Sequence, residues 1–332
     1  MLPIATPALL TSQIPLNPKA KGLVDSFRQD CINILTNKNE RLLLICGPCS
    51  IHDPESAYEY AKRLFCLSSE VKDVFMIVMR TYFEKSRTSS GWKGFISDPD
   101  LDGSYDIASG LYKSRKLLSD ITDLGLATAT EFLDPITAPY ISDFISWGSI
   151  GARTSQSPIH RQLATDLEMP IGFKNRTDGN IDVAIQGCSV AKNPSHFLSI
   201  DKTGKVCKII SKGNIHPHIV LRGGEMGPNY SYECVQNAKE LLEMAALTPT
   251  LIVDCSHDNS RKNPYAQSDV FFDLIQQITA TNSPIRGMML ESFWENSSFT
   301  DPCLDWNQTE QLIREGAKLL REKVRNTCAL YS

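Results

Sequence analysis

The chain has 332 residues, 42% hydrophobic and 22% charged, with a formal net charge of −4. That profile excludes a long disordered chain and argues against nucleic acid as the main partner, because a phosphate backbone needs a basic face. No apolar run approaches the roughly 18 residues of a spanning helix, and MLPIATPALLTSQIPLNPKAKG lacks the basic and continuous apolar regions of a signal peptide, so a cytoplasmic protein with no membrane partner is expected.

In chain order, residues 1–40 read as an N-terminal arm, punctuated by prolines and holding one amphipathic helix over about 20–36, ahead of a catalytic unit over 41–332. Such an arm commonly packs on a neighbouring subunit, which points to a homo-oligomer, a dimer or tetramer. The unit begins with the apolar run LLLICGPC (42–49), followed by FMIVMRTY (75–82), LATATEF (126–132) and FISWGSIGA (144–152). PIGFKN (170–175), HIVLRGG (218–224), LIVDCSH (251–257) and IRGMMLES (285–292) complete a set of eight. Amphipathic segments with helical spacing separate them, and Asp53-Pro54, Asp134-Pro135 and Asn263-Pro264 read as helix starts. Eight strand–helix units predict a (β/α)8 TIM barrel, with an open doubly wound sheet as the alternative. The segment 192–216, with FLSID and KVCKIIS around Lys202-Thr203-Gly204-Lys205, reads as a β-hairpin inserted before the sixth strand.

A barrel enzyme builds its site at the carboxyl ends of its strands. Those ends carry Cys49, Arg80, Glu131, Arg153, Lys174, Arg222, Asp254, His257 and Glu291, with Lys85, Arg87 and Asp301 in nearby loops. Six lysines and arginines at one mouth repel each other unless an anion offsets them, so one or two phosphorylated small molecules are the expected ligands. Cys49, His257, Glu291 and Asp301 offer thiolate, imidazole and carboxylates suited to a divalent ion. Each also has a plainer reading. Cys49 in particular is open between core thiol, nucleophile, half of a disulfide and metal ligand. Most of the ten cysteines are expected to be buried thiols, and His52 and Asp53 to cap the following helix. P-loop, GxGxxG and G-x-S-x-G motifs are all absent, which removes the usual signals for nucleotide binding and for a hydrolase triad.

The segments GPCSIHDP, MRTYFEKSRTSSGWKGFISDPDLDGSYDI, ATEFLDPITAPY, ISWGSIGARTSQSPIHRQLA, GFKNRTDGNIDVAI, HIVLRGG and VDCSHDNS resemble the type I 3-deoxy-D-arabino-heptulosonate 7-phosphate (DAHP) synthases. The resemblance runs from about Leu42 to Arg321 and is weaker in the arm. It implies condensation of phosphoenolpyruvate with erythrose 4-phosphate, the first step of the shikimate pathway. By resemblance, Arg153, Lys174 and Arg222 hold the phosphoenolpyruvate phosphate, Arg80 and Lys85 sit by its carboxylate, and Arg87 with Thr88 grips the aldose phosphate. Lys85, Glu131 and Lys174 are the implied catalytic residues. Cys49, His257, Glu291 and Asp301 are the implied ligands of one divalent ion, Mn²⁺, Fe²⁺ or Co²⁺, and Cys303 is a candidate disulfide partner for an oxidised Cys49. An aromatic amino acid effector is a further implication.

Three departures from the family pattern stand out. Asp258 follows the metal-binding histidine where a small residue is usual, adding negative charge to the expected metal shell. Phe293 stands where a histidine is common, in a short Glu291–Asp301 stretch expected to be more open. Glu168 replaces a small residue where relatives sense phenylalanine or tyrosine. A catalytically silent relative that binds phosphorylated ligands or a partner is the alternative.

Overall fold

The computed structural model describes residues 3–87, 90–280, 283–294 and 299–330, with 324–330 as backbone only. Two helices open the chain, α1 (Pro7–Gln13) and α2 (Pro18–Leu35), followed by β1 (Leu42–Gly47), α3 (Pro54–Val71) and β2 (Phe75–Arg80). Then come α4 (Ile107–Leu124), β3 (Ala127–Glu131), α5 (Ala138–Ile141), β4 (Trp147–Ile150), α6 (Pro158–Asp166), β5 (Ile171–Lys174) and α7 (Asp182–Ala191). The inserted pair β6 (Ser195–Ile200) and β7 (Val206–Ser211) precedes β8 (Pro217–Leu221) and α8 (Tyr232–Met244). The chain closes with β9 (Leu251–Asp254), α9 (Ala266–Ala280), β10 (Ile285–Glu291) and α10 (Trp306–Leu330).

Eight strands close into a barrel in the order β1-β10-β9-β8-β5-β4-β3-β2. Their pairings are parallel, whereas β6 and β7 pair antiparallel as a separate hairpin. This is the (β/α)8 architecture with the hairpin ahead of the sixth barrel strand. No described helix is long and apolar enough to cross a membrane.

The helix starts follow local chemistry. Asp53 accepts from the Glu55 and Ser56 N–H groups and caps α3. His52, expected to share that role, instead sets its ring against Phe293 and Phe299, with centroids at 5.7 and 6.3 Å. Asp134 and Asn263 make Asx turns to the N–H groups of Ile136 and Tyr265, so α5 and α9 start later, at Ala138 and Ala266. The arm, expected to hold one helix, holds two. Thr6 and Asn17 each bond an N–H three residues on, with Pro7 and Pro18 at the first helical positions.

Alternation along the strands sorts their side chains into two cores. Leu43, Ile45, Met76, Val78, Ala127, Ala129, Trp147, Val220, Ile252 and Met289 form one buried cluster, the barrel interior. Their neighbours Leu44, Ile77, Phe173, Ile219, Val253 and Leu290 belong to the other, between strands and helices. Cys31, Ile34 and Leu35 of α2 join the interior cluster, so this helix plugs the end opposite the strand carboxyl termini. Trp147 donates its indole N–H to His218 Nε2 at 3.0 Å across Gly172, where a Cβ would lie 2.6 Å from the indole ring.

Arg115 on α4 ties the arm to the barrel. Fully buried, it donates to Ile14 O at 2.8 Å and Tyr140 O at 2.7 Å, and grips Asp143 with both terminal nitrogens. Arg115→Ala leaves two carbonyls and a carboxylate without their donor, so it is expected to lower stability by about 3 kcal/mol. A urea unfolding midpoint unchanged from wild type would contradict this.

Candidate active site

The inward positions that carry apolar side chains deep in the barrel end, two residues further on, in polar ones. Val78 is followed by Arg80, Ala129 by Glu131, Val220 by Arg222, Ile252 by Asp254 and Met289 by Glu291. Lys174 follows Gly172 in the same way. These ends, with the loops beyond, enclose a cavity of about 610 Å³ that Arg80, Glu131, Lys174, Arg222 and Glu291 line. Lys85, Arg87 and Arg153 line both this cavity and an adjoining lobe of about 390 Å³.

Arg80 is buried and stacks its guanidinium 3.6 Å from the Tyr82 ring centroid, donating to Glu291 Oε1 at 2.8 Å and Pro48 O at 3.0 Å. Lys174 Nζ sits between Glu131 Oε2 at 3.4 Å and Asp254 Oδ2 at 3.6 Å. Gly151 makes room for Glu131, since a Cβ there would lie 2.2 Å from its Oε1. Arg222 is salt-bridged through NH1 to Asp258. Arg87 donates to Trp92 O at 3.1 Å and Arg153 to Ser86 Oγ at 3.2 Å. Neither arginine has a carboxylate within ion-pair distance among the described residues.

The four residues with metal-ligand chemistry stand as two pairs. Cys49 Sγ donates to Asp301 Oδ2 at 3.0 Å, and His257 Nε2 lies 3.7 Å from Glu291 Oε1. Lys85 Nζ is 2.7 Å from the same sulfur. Among the described residues, no group of three or more His, Cys, Asp or Glu side chains stands ready-made as a metal cluster. Cys49 and Cys303 are both thiols. Thr88 lies outside the described residues.

Residues 13–314 match the DAHP synthetase I family. Similar proteins include a Trp-sensitive phospho-2-dehydro-3-deoxyheptonate aldolase of Enterobacter agglomerans, 45% identical, covering 93% of this chain and 93% of the relative. A Tyr-sensitive enzyme of the same name from Escherichia coli is 42% identical over 94% of this chain and 92% of its own. The solved structure of the Francisella tularensis enzyme of that name superposes with a TM-score of 0.93 at 40% identity, covering 97% of this chain and 98% of that one. The chain belongs to the DAHP synthetase I family.

The six cations named from the sequence, Arg80, Lys85, Arg87, Arg153, Lys174 and Arg222, all line the main cavity, joined by Lys262, and six carboxylates stand among them (Glu84, Glu131, Glu225, Asp258, Glu291, Asp301). Among the described residues, Arg87, Arg153 and Lys262 line the cavity without a carboxylate at ion-pair distance, whereas Arg80, Lys85, Lys174 and Arg222 each have one. Burial by itself would raise the Glu131 and Asp254 pKa values, but Lys174, Arg80 and His257 outweigh it and hold both low. Burial likewise opposes the charge on Lys174, yet Tyr82, Glu131 and Asp254 raise its pKa. Burial, with help from Glu291, pushes the Cys49 thiol up against the opposing pull of Lys85 and Arg80.

Sequence reasoning passed over Tyr82, Glu84 and Lys262. Tyr82 continues the inward parity of Arg80 and could have been found by counting in twos. Lys262 sits in a loop with left-handed backbone at His257, Arg261 and Lys262, where no periodic signal exists. Asp258, expected in the metal shell, is on Arg222 instead, because that loop folds back so that Asp258 N donates to Arg222 O at 3.2 Å. Phe293 packs on Tyr60 at 5.8 Å and its N–H bonds Leu304 O at 2.9 Å. The described ends of the 291–301 stretch are therefore pinned, while 295–298 lie outside the described residues.

Desolvation pushes the Glu84 carboxyl up to about 7 against the Thr137 hydroxyl, which donates to it at 3.0 Å. A carboxyl raised in the fold favours folding fully below its unfolded pKa of roughly 4.5 and loses that contribution as pH rises through about 7. Glu84→Gln is therefore expected to gain stability over wild type between pH 5 and 8, by at most about 3 kcal/mol. Thermal melts of both proteins across that range check it; a constant difference in melting temperature would remove the claim.

Proposed function

We propose that the chain condenses phosphoenolpyruvate with erythrose 4-phosphate and water, giving DAHP and inorganic phosphate. The observation that carries this reading is the Lys174–Glu131 pair at the floor of a two-lobed cavity, beside two arginines, Arg87 and Arg153, that have no carboxylate partner among the described residues. A bond forms between C3 of phosphoenolpyruvate and the aldose carbonyl carbon, water adds at C2, and the phosphate departs with its bridging oxygen. Arg153, Lys174 and Arg222 meet the phosphoenolpyruvate phosphate and stabilise the charge that builds on it. Arg80 and Lys85 face its carboxylate, Arg87 takes the aldose phosphate in the smaller lobe, and Thr88 is assigned there with it. Glu131, kept ionised beside Lys174, orients the water and receives its proton.

Cys49, His257, Glu291 and Asp301 fit a divalent ion by donor chemistry. Donors about 2.0–2.3 Å from one ion and about 90–110° apart stand roughly 2.9–3.7 Å from each other. The Cys49–Asp301 and His257–Glu291 separations of 3.0 and 3.7 Å fall in that range. A bound Mn²⁺, Fe²⁺ or Co²⁺ would supply Lewis acidity toward the aldose carbonyl oxygen. Oxidation of Cys49 with Cys303 is a proposal of the same kind.

Some relatives are named Trp-, Tyr- or Phe-sensitive. We extend to this chain an aromatic amino acid effector. Glu168 holds Arg28 of α2 at 2.7 Å and would alter any response routed through that position. A homo-oligomer is supported by Leu198, Val206 and Ile210, which are 77, 76 and 69% exposed on the hairpin. No observation favours a catalytically silent relative.

Protein supplied with Mn²⁺, phosphoenolpyruvate and erythrose 4-phosphate is expected to release phosphate, and a chelator to abolish release. Lys174→Met should lower kcat by about 10²–10³-fold, since it removes both the cation and the partner of Glu131. Turnover within a few-fold of wild type would sink the assignment. Light scattering and assays with each aromatic amino acid read the oligomer and the effector.

A further inference from the structure

We propose that Asp258 is a built-in competitor for the substrate phosphoryl group, setting the affinity of the main lobe through Arg222. The inference rests on the reading above that Arg222 meets the phosphoenolpyruvate phosphate. Arg222 and Asp258 both line the cavity, with side chains 7 and 23% exposed. The carboxylate engages NH1, which also lies 3.5 Å from Gly223 O. Among the described residues, Nε and NH2 of Arg222 make no hydrogen bond. A phosphoryl group can therefore approach only one edge of the guanidinium while a fixed carboxylate occupies the other.

Asp258 cannot retreat easily. Its N–H is bonded to Arg222 O, and the next residue, Asn259, donates to Leu221 O at 3.2 Å and Asp254 O at 2.9 Å. Gly223 permits this close approach: its φ is +73°, and a Cβ there would lie 2.5 Å from Asn259 N. An incoming dianion must either break the Asp258–Arg222 pair or bind beside a like charge, and both weaken it. Arg87, assigned above to the aldose phosphate, has no such internal anion among the described residues. Anion binding is thus weakened where Arg222 meets the phosphoenolpyruvate phosphate and not at the aldose phosphate, and the same competition speeds departure of the product phosphate.

The test compares wild type with Asp258→Asn, which keeps the shape and the main-chain bonds, and with Asp258→Ala. Three constants are measured: KM for phosphoenolpyruvate, Ki for inorganic phosphate competing with it, and KM for erythrose 4-phosphate. The first two are expected to fall on the order of tenfold in both variants, a change equivalent to about 1.4 kcal/mol, with the third unmoved. Phosphoenolpyruvate KM unchanged or raised in the Asn variant would overturn the proposal, as would an equal fall for the aldose. If the wild-type protein shows no turnover, the catalytic reading fails separately. Calorimetric titration of inorganic phosphate then decides: tighter binding to Asp258→Asn supports the proposal, and equal or weaker binding overturns it.

Discussion

Everything at the mouth of this barrel depends on one geometric constraint, the two-residue period of side chains along strands that close on themselves. Inward positions stack as layers, and a closed barrel gives those layers nowhere to go but up to the rim. Deep layers are Leu, Ile, Val, Met, Ala and Trp. The next inward residue on most strands is charged, and most of these charged residues are almost completely buried. They tolerate that burial because opposite partners stand beside them, from other strands for Arg80 with Glu291 and Lys174 with Glu131 and Asp254, and from a loop for Arg222 with Asp258.

Such pairing changes what the site can do. Mutually neutralised charges lose desolvation energy but gain fixed geometry, so the mouth is preorganised rather than merely positive. Ligand attraction is left to Arg87, Arg153 and Lys262, which have no carboxylate at ion-pair distance among the described residues. Lys85 couples the regions, because its ammonium lies between the Cys49 sulfur and the Asp301 carboxylate while also lining both lobes.

Away from the mouth, the arm serves the opposite end. Helix α2 fills the barrel floor, α1 reaches the hairpin turn through Ala8 N to Lys202 O at 2.7 Å, and Arg115 and Arg28 clamp both to the helical shell. An arm secured by buried arginines to main-chain carbonyls links floor, shell and inserted hairpin. A change at any of these places therefore has a mechanical route to the others.

By itself, the sequence determined the strand count, the alternating order of elements, the hairpin and the residues at each strand end, because hydrophobic period and punctuation are local properties of the chain. It also carried the family resemblance, which lies in long contiguous segments. Which charges neutralise which was decided only in three dimensions: Arg80 meets Glu291, 211 positions away, and no local pattern encodes that distance. The placement of Asp258 is the clearest case. Adjacent to His257 in sequence, it belongs to Arg222 in space, because a left-handed turn at His257 folds the loop onto the neighbouring strand.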